Sequence, residues 1–474
     1  MREFGSIIGG RQVMGPDWIE VHNPYSGRLV GRVSAVDREH AIDAVQRVQA
    51  AKVSLTRYDR YSILNCMAEK LVERASEVSA MITDESGLCL KDTQYEVLRA
   101  SDVLRFSAIR SLDDDSEVFP CDVSRDARQR RIYTMRQPLS VVCAITPFNH
   151  PLNQVVHKVA PAIAVGAKMI LKPSQLTPFA AHYLVQLAID CGLPPDMVSV
   201  VSCASTSVAE DIVTHPAVQM ITFTGSTAAG KRIAAVAGYK RLVLELGGSS
   251  AMLVLSDADP EKAAAIAQVG TFKNSGQRCT AIRRLLVHES IADEFARSLA
   301  ERAEKMTFGD PYNAANDMGT VISEKAAIEI ERRVDLSLAS GSKLLAGHCR
   351  QGACYAPTVL DFVTNNSPVV ACETFGPVAP IIRFRTLDEA IRIANDTEFG
   401  LSGAVVSDHW PSIQRVITEL ETGTVNVNEA PSYRLEWSPF GGIKSSGLGY
   451  KEGVIEAMKS MTYVKTYSLP WDTP

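Results

Sequence analysis

Residues 139–246 read LSVVCAIT (139–146), LNQVVHKVAPAIAV (152–165), KMILK (168–172), PFAAHYLVQLAIDCG (178–192), MVSVVS (197–202), VQMITFT (218–224), AAGKRIAAVAG (228–238) and RLVLEL (241–246). Short β-branched runs with little polar alternation indicate strands buried on both faces, and the segments of helical period between them supply the covering helices. Pro147 stops the first run and Gly166 ends the helix after it; glycine suits a helix end because it takes the left-handed conformation without strain. The expectation is a doubly wound α/β domain with its ligand at the carboxyl ends of parallel strands.

Outward from this stretch, residues 40–53, 61–83 and 94–110 read as helices, ended by the polar SLDDDSEVFP (111–120). After LELGG (244–248) a second α/β pattern begins, with SDADPEK (256–262) capping a helix and FKNSGQRCTA (272–281) leading into the strand IRRLLVH (282–288). SRDARQRRIYTMRQP (124–138) alternates in part, and SMTYVKTYSLPW (460–471) has the look of a terminal strand. Paired, the two would make a small β hairpin suited to oligomerisation.

A chain of 474 residues exceeds one ordinary core and implies two or three domains. Hydrophobic residues at 46% and charged residues at 22% are ordinary globular composition. A net charge of −5 and a pI near 6.0 argue against nucleic acid or an anionic membrane as partner. MREFGSIIGG has no apolar region of signal-peptide length, and no apolar run approaches the roughly 18 residues of a membrane span. The ten cysteines show no CxxC pair and no zinc-ligand spacing, so free thiols in a reducing cytoplasm and no metal are expected. Cys349 and Cys354, five apart, read as ordinary thiols.

Chemistry-bearing residues stand at the strand ends. GSTAAGK (225–231) follows a Walker A pattern until Arg232, where magnesium binding needs Ser or Thr. The stretch lies between a strand and a helix, so its amides can still face a phosphate. Cys279, in SGQRCTA, has Arg278 beside it, and a thiolate is favoured near cations; a free cysteine is as readily a buried structural residue. Glu245, ending an apolar strand, suits a general base of raised pKa or a plain strand-end carboxylate. Asn149, in TPFNHP, can donate to an oxyanion or merely turn the chain.

Taken together, TPFNHP, LKPSQ, FTGST, LELGG, GQRCT, ETFGP and PFGGIKSSG occur in the order and spacing of the aldehyde dehydrogenase superfamily, which nearly the whole chain resembles. The resemblance implies an α/β fold of two doubly wound domains plus a small β oligomerisation hairpin. Residues 1–117 and 138–246 would bind the dinucleotide, 247–455 would form the catalytic domain, and 118–137 with 456–474 the oligomerisation segment of a homodimer or homotetramer. Matched motif by motif, Cys279 is the nucleophile, Glu245 the hydrolytic base, and Asn149 with the Cys279 amide the oxyanion hole. Lys172 would hold the adenosine ribose, Ser226 the pyrophosphate, and Glu373 the nicotinamide ribose with Phe375 beside it. Thr146, Pro147, Phe148, Ser174, Gln175, Gly225 and Leu246 would complete the groove. A base at Glu245 argues against the CoA-acylating branch. Gln175 replaces the Glu of many NAD-preferring members and SCASTSVAED (202–211) replaces a glycine-rich turn, so NAD is favoured with NADP open.

The same match brings Arg99, His150, His157, Arg278 and Arg434 to the substrate channel. Arginine binds phosphonate, sulfonate or carboxylate through paired N–H donors, although any one of these arginines could be merely solvated. NHPLNQVVHKVAPAIA, FKNSGQRCTA, YRLEWSPFGGIKSSGLGYKEG and KTYSLPW look most like phosphonoacetaldehyde dehydrogenases, which would place the chain in phosphonate metabolism. Sulfoacetaldehyde, lactaldehyde and glyceraldehyde-3-phosphate oxidation are the alternatives. A catalytically silent binding protein is disfavoured by the intact Cys279, Glu245, Asn149, Lys172 and Glu373.

Overall fold

The computed structural model describes residues 1–449 and 452–471; residues 450, 451 and 472–474, the last three being the end of the expected oligomerisation segment, lie outside them. The run that opened the sequence reading folds into five parallel strands ordered Arg241–Glu245, Met220–Thr224, Val142–Ile145, Met169–Lys172 and Val198–Val200. Every residue of Val142–Ile145 and Met220–Thr224 is buried, as a sheet covered on both faces requires. Gly166 caps the helix Asn153–Val165 at φ 79°. Strand order reverses between Val142–Ile145 and Met220–Thr224, so the loops after Ile145 and Thr224 flank the switch point where such sheets bind ligands.

Sequence reading did not anticipate that the N-terminus completes this sheet. Ser6–Ile8 adds antiparallel to Val198–Val200, and Arg11–Val13 pairs with it at the edge. The expected helix at 61–83 is two, Arg57–Glu73 and Ala75–Ser86, broken at Arg74. Leu90–Ser111 packs against Arg57–Glu73 and Asn153–Val165.

A second seven-stranded sheet runs Lys343–Ala346, Thr358–Asp361, Val378–Phe384, Ile282–His288, Ser250–Val254, Ser402–Val406 and Thr424–Val427, with one antiparallel pairing at the Lys343–Ala346 edge. Arg130–Pro138 pairs antiparallel with Thr462–Pro470 in continuous register from Pro138↔Thr462 to Arg130↔Pro470, and Val118–Pro120 adds the third strand. The thiols are not all free, as composition had suggested. Cys66 and Cys191 form a disulfide that ties Arg57–Glu73 to the end of helix Phe179–Asp190. Their 125-residue separation hid the pairing.

Candidate functional site

Cys279 follows a strained turn. Asn274, Ser275 and Gly276 are consecutive left-handed residues at φ 62°, 52° and 69°, a conformation that costs non-glycine residues about 1–3 kcal/mol each unless the surroundings hold it. Here they do. The Asn274 amide donates to Asp92 (2.9 Å), its side chain donates to the Asn149 carbonyl (3.0 Å), and the Gln277 side chain accepts from the Ile322 amide (2.8 Å). Arg283, buried under the turn, donates to the Gly276 and Gly376 carbonyls. The turn thereby meets the loop carrying Glu373 and Phe375.

Asn149 is buried and donates one amide proton to the Gln277 carbonyl at 2.9 Å. A side-chain amide carries two donors, so one remains for an oxyanion. Glu96 sets the position of this loop: its Oε1 accepts from the Leu152 and Asn153 amides (2.8 and 2.9 Å) at the start of the next helix. Burial pushes the Cys279 thiol up to about 12; Arg434 and Arg278 pull it down, while Glu245 and Glu373 push it further up. A thiol held that high becomes a nucleophile only when a base takes its proton. Glu245 is itself buried, at the end of its strand. Gly248, in the same LELGG motif, has no room for a side chain: a Cβ would lie 2.4 Å from the Cys279 carbonyl oxygen.

A groove of about 540 Å³ contains Cys279, Glu245 and Asn149 together with Thr146, Pro147, Phe148, Lys172, Ser174, Gln175, Gly225, Ser226, Leu246, Glu373 and Phe375. All the expected nucleotide residues are therefore in one place. Ser226 caps helix Thr227–Val236, whose free amides face anions well. Glu373 accepts from the Gly248 amide at 3.1 Å, and burial raises its pKa. Phe148 and Phe375 meet edge to face, 5.8 Å between centroids. Gln175 gives both amide protons to the Cys203 and Ala204 carbonyls (2.8 and 2.9 Å), fixing a neutral side chain at the groove wall. A groove at a strand switch point that reaches a helix N-terminus, with polar groups set among apolar walls, fits a dinucleotide.

A second cavity of about 360 Å³ is lined by Arg99, His150, Arg278 and Arg434, with Asn274 at the strained turn. Four of the five expected substrate residues share it. His157 does not. It is 2% exposed and hydrogen-bonded to Glu436 at 2.5 Å, with Arg434 3.2 Å away, so it meets a substrate only through Arg434. Burial lowers its pKa while Glu436 opposes.

Glu436 was missed and reorders the set. It sits 2.5 Å from Arg99 and 3.6 Å from Arg434, and against burial its neighbours His157, Arg434 and Arg99 hold its carboxyl far below the usual range. Arg99 is thus already paired. Arg278 is turned toward the end of helix Pro260–Phe272, where it donates to the Val269 and Gly270 carbonyls (2.8 and 2.9 Å). Arg434 packs 4.2 Å over Phe440. The signal for Glu436 was its place two residues after Arg434 in YRLEWSPF, but a loop acid reads as solvated unless its distant partners are known.

Comparison with known proteins agrees with the site. The model of the aldehyde dehydrogenase family matches residues 13–467. The chain is 34% identical to a 3-sulfolactaldehyde dehydrogenase of Priestia aryabhattai, covering 98% of this chain and 97% of that one. It is 34% identical to a sulfoacetaldehyde dehydrogenase of Neptuniibacter caesariensis over 90% and 93%. An NADP-dependent glyceraldehyde-3-phosphate dehydrogenase from Bacillus halodurans C-125, solved with NADP, superposes at TM-score 0.96 with 33% identity, covering 100% of each chain. A strained cysteine loop, a buried strand-end glutamate and a dinucleotide groove meeting at one thiol, in a chain matched almost end to end, place this protein in the aldehyde dehydrogenase family.

Proposed function

We propose that the protein oxidises a small anionic aldehyde, phosphonoacetaldehyde foremost, to its carboxylic acid with NAD or NADP. The observation that supports the anionic substrate is the set of Arg99, Arg278 and Arg434 in the cavity beside the Cys279 loop, a cavity that Asp92, Glu96, Asp102, Glu429 and Glu436 also line. Arginine there matches phosphonate or sulfonate oxygens. Relatives named for sulfolactaldehyde and sulfoacetaldehyde support the sulfonate as the second reading. Lactaldehyde and glyceraldehyde 3-phosphate follow, the latter favoured by the structural neighbour.

The chemistry follows from the residues. Cys279, its proton released to water, attacks the aldehyde carbon as the thiolate to give a thiohemiacetal. The Asn149 amide and the Cys279 backbone N–H hold the developing oxyanion. Lys172, Ser226 and Glu373 would hold a dinucleotide in the groove, and it would supply the acceptor for the hydride of this carbon. Glu245 then takes a proton from water, which attacks the resulting thioester; the acid leaves and the Cys279 thiol is regenerated. Gln175 offers no charge against a 2′-phosphate, which supports use of both nucleotides. The Arg130–Pro138 and Thr462–Pro470 sheet, with exposed Tyr463, Val464, Tyr467 and Leu469, would join copies into a dimer or tetramer.

The test is absorbance of the reduced nucleotide with phosphonoacetaldehyde, sulfoacetaldehyde, lactaldehyde, glyceraldehyde 3-phosphate and propanal, each with NAD and NADP. The proposal expects the highest kcat/KM for phosphonoacetaldehyde. A preference for propanal over every anionic aldehyde contradicts it.

A further inference from the structure

A fourth cation, Lys273, lines the substrate cavity. It follows directly on helix Pro260–Phe272 and precedes the left-handed Asn274. Its Nζ lies 3.5 Å from the centroid of the Tyr95 ring, on the helix Leu90–Ser111 that also carries Arg99. Among the described residues it has neither a hydrogen-bond acceptor nor an ion-pair partner. Asp92 attracts it at longer range, but burial, Arg278 and Arg99 together lower its pKa.

The other cations of the cavity are already occupied. Arg99 lies on Glu436 at 2.5 Å, Arg434 shares Glu436 at 3.6 Å and rests on Phe440, and Arg278 donates to two helix-end carbonyls. An ammonium has three donors, and a ring face satisfies charge without accepting a conventional hydrogen bond. A half-buried ammonium so placed gains more from an incoming anion than a guanidinium that must first leave its own partner. Its neighbour Asn274 donates to the Asn149 carbonyl at 3.0 Å, so the turn that carries Lys273 is tied to the loop of the oxyanion donor. In a two-carbon substrate the anionic group is a bond or two from the carbonyl.

We propose that Lys273 is a substrate-contacting, specificity-determining residue that grips the anionic head group of a short aldehyde, with Arg278 and Arg434 as its supporting field and Arg99 held out of that role by Glu436. This rests on the anionic-aldehyde reading above. The experiment compares K273M and K273R with the parent, reading kcat/KM for phosphonoacetaldehyde and propanal and the inhibition constant of phosphonoacetate, with R434A in parallel. K273M is expected to lower the phosphonoacetaldehyde-to-propanal ratio by about tenfold or more, mainly through KM, since one charge contact is lost. It should weaken phosphonoacetate by a similar factor, and K273R should restore most of both. A K273M ratio and inhibition constant within about twofold of the parent, or equal losses on both substrates without rescue by K273R, overturns the assignment. If R434A lowers the ratio and K273M does not, Lys273 is excluded and the anionic substrate stands; if neither lowers it, the anionic reading itself falls.

Discussion

Glu436 decides what its neighbours can do. A carboxylate buried between Arg99, Arg434 and His157 holds two guanidiniums and an imidazole in a small volume, where without it the two guanidiniums would repel. Breaking such a buried pair costs about 3–5 kcal/mol, because a charge is left uncompensated. E436Q should therefore lower the melting temperature, and phosphonoacetate should raise it more in the variant than in the parent, since the anion supplies the missing counter-charge. Unchanged melting in E436Q would show that the cluster is not held by this charge. Glu245 tests separately. E245Q should still acylate through Cys279 but stall at hydrolysis, giving a burst of about one reduced nucleotide per site before slow turnover. Stopped-flow absorbance reads this directly, and parent-like steady turnover without a burst would remove Glu245 from the hydrolytic role.

At the scale of elements, the site is an assembly of loop ends. The strand after Pro138 ends at TPFN, the strand Arg241–Glu245 ends at LELGG, and the strained turn 274–276 brings in Cys279. Gly248 is where two of these touch, leaving 2.4 Å between a hypothetical Cβ and the Cys279 carbonyl. G248A should leave the circular dichroism spectrum unchanged and lower kcat by about a hundredfold, as a displacement near 1 Å at the nucleophile does. Activity within a few-fold of the parent would mean that the Cys279 loop is not positioned by this contact. These strand-end motifs were legible in the sequence because the apolar runs around them are local. Glu436 was not, because its partners Arg99 and His157 lie 337 and 279 residues away along the chain. Lys273 was passed over because a lysine in FKNSG reads as a solvated loop residue until the cavity around it is seen. The N-terminal strands that finish the first sheet are three residues each, too short to carry a period.

In the whole molecule, one cavity contains Cys279 and a second is lined by Asn274 and Arg278 of the same loop. The groove of about 540 Å³ lies at the ends of parallel strands and holds the nucleotide residues; the cavity of about 360 Å³ is lined by charge. The division makes chemical sense, because hydride transfer needs cofactor and aldehyde to meet at one carbon while each is bound by its own residues. The charged cavity is what separates this chain's proposed chemistry from that of a general aldehyde oxidiser. Its most direct test is R434A assayed with phosphonoacetaldehyde and with propanal. Loss of a partner in a desolvated charge pair costs on the order of 2–5 kcal/mol, so kcat/KM for phosphonoacetaldehyde should fall by about 30-fold or more while propanal changes far less. Equal losses on the charged and the neutral aldehyde would contradict the anionic substrate and leave only the family chemistry at Cys279.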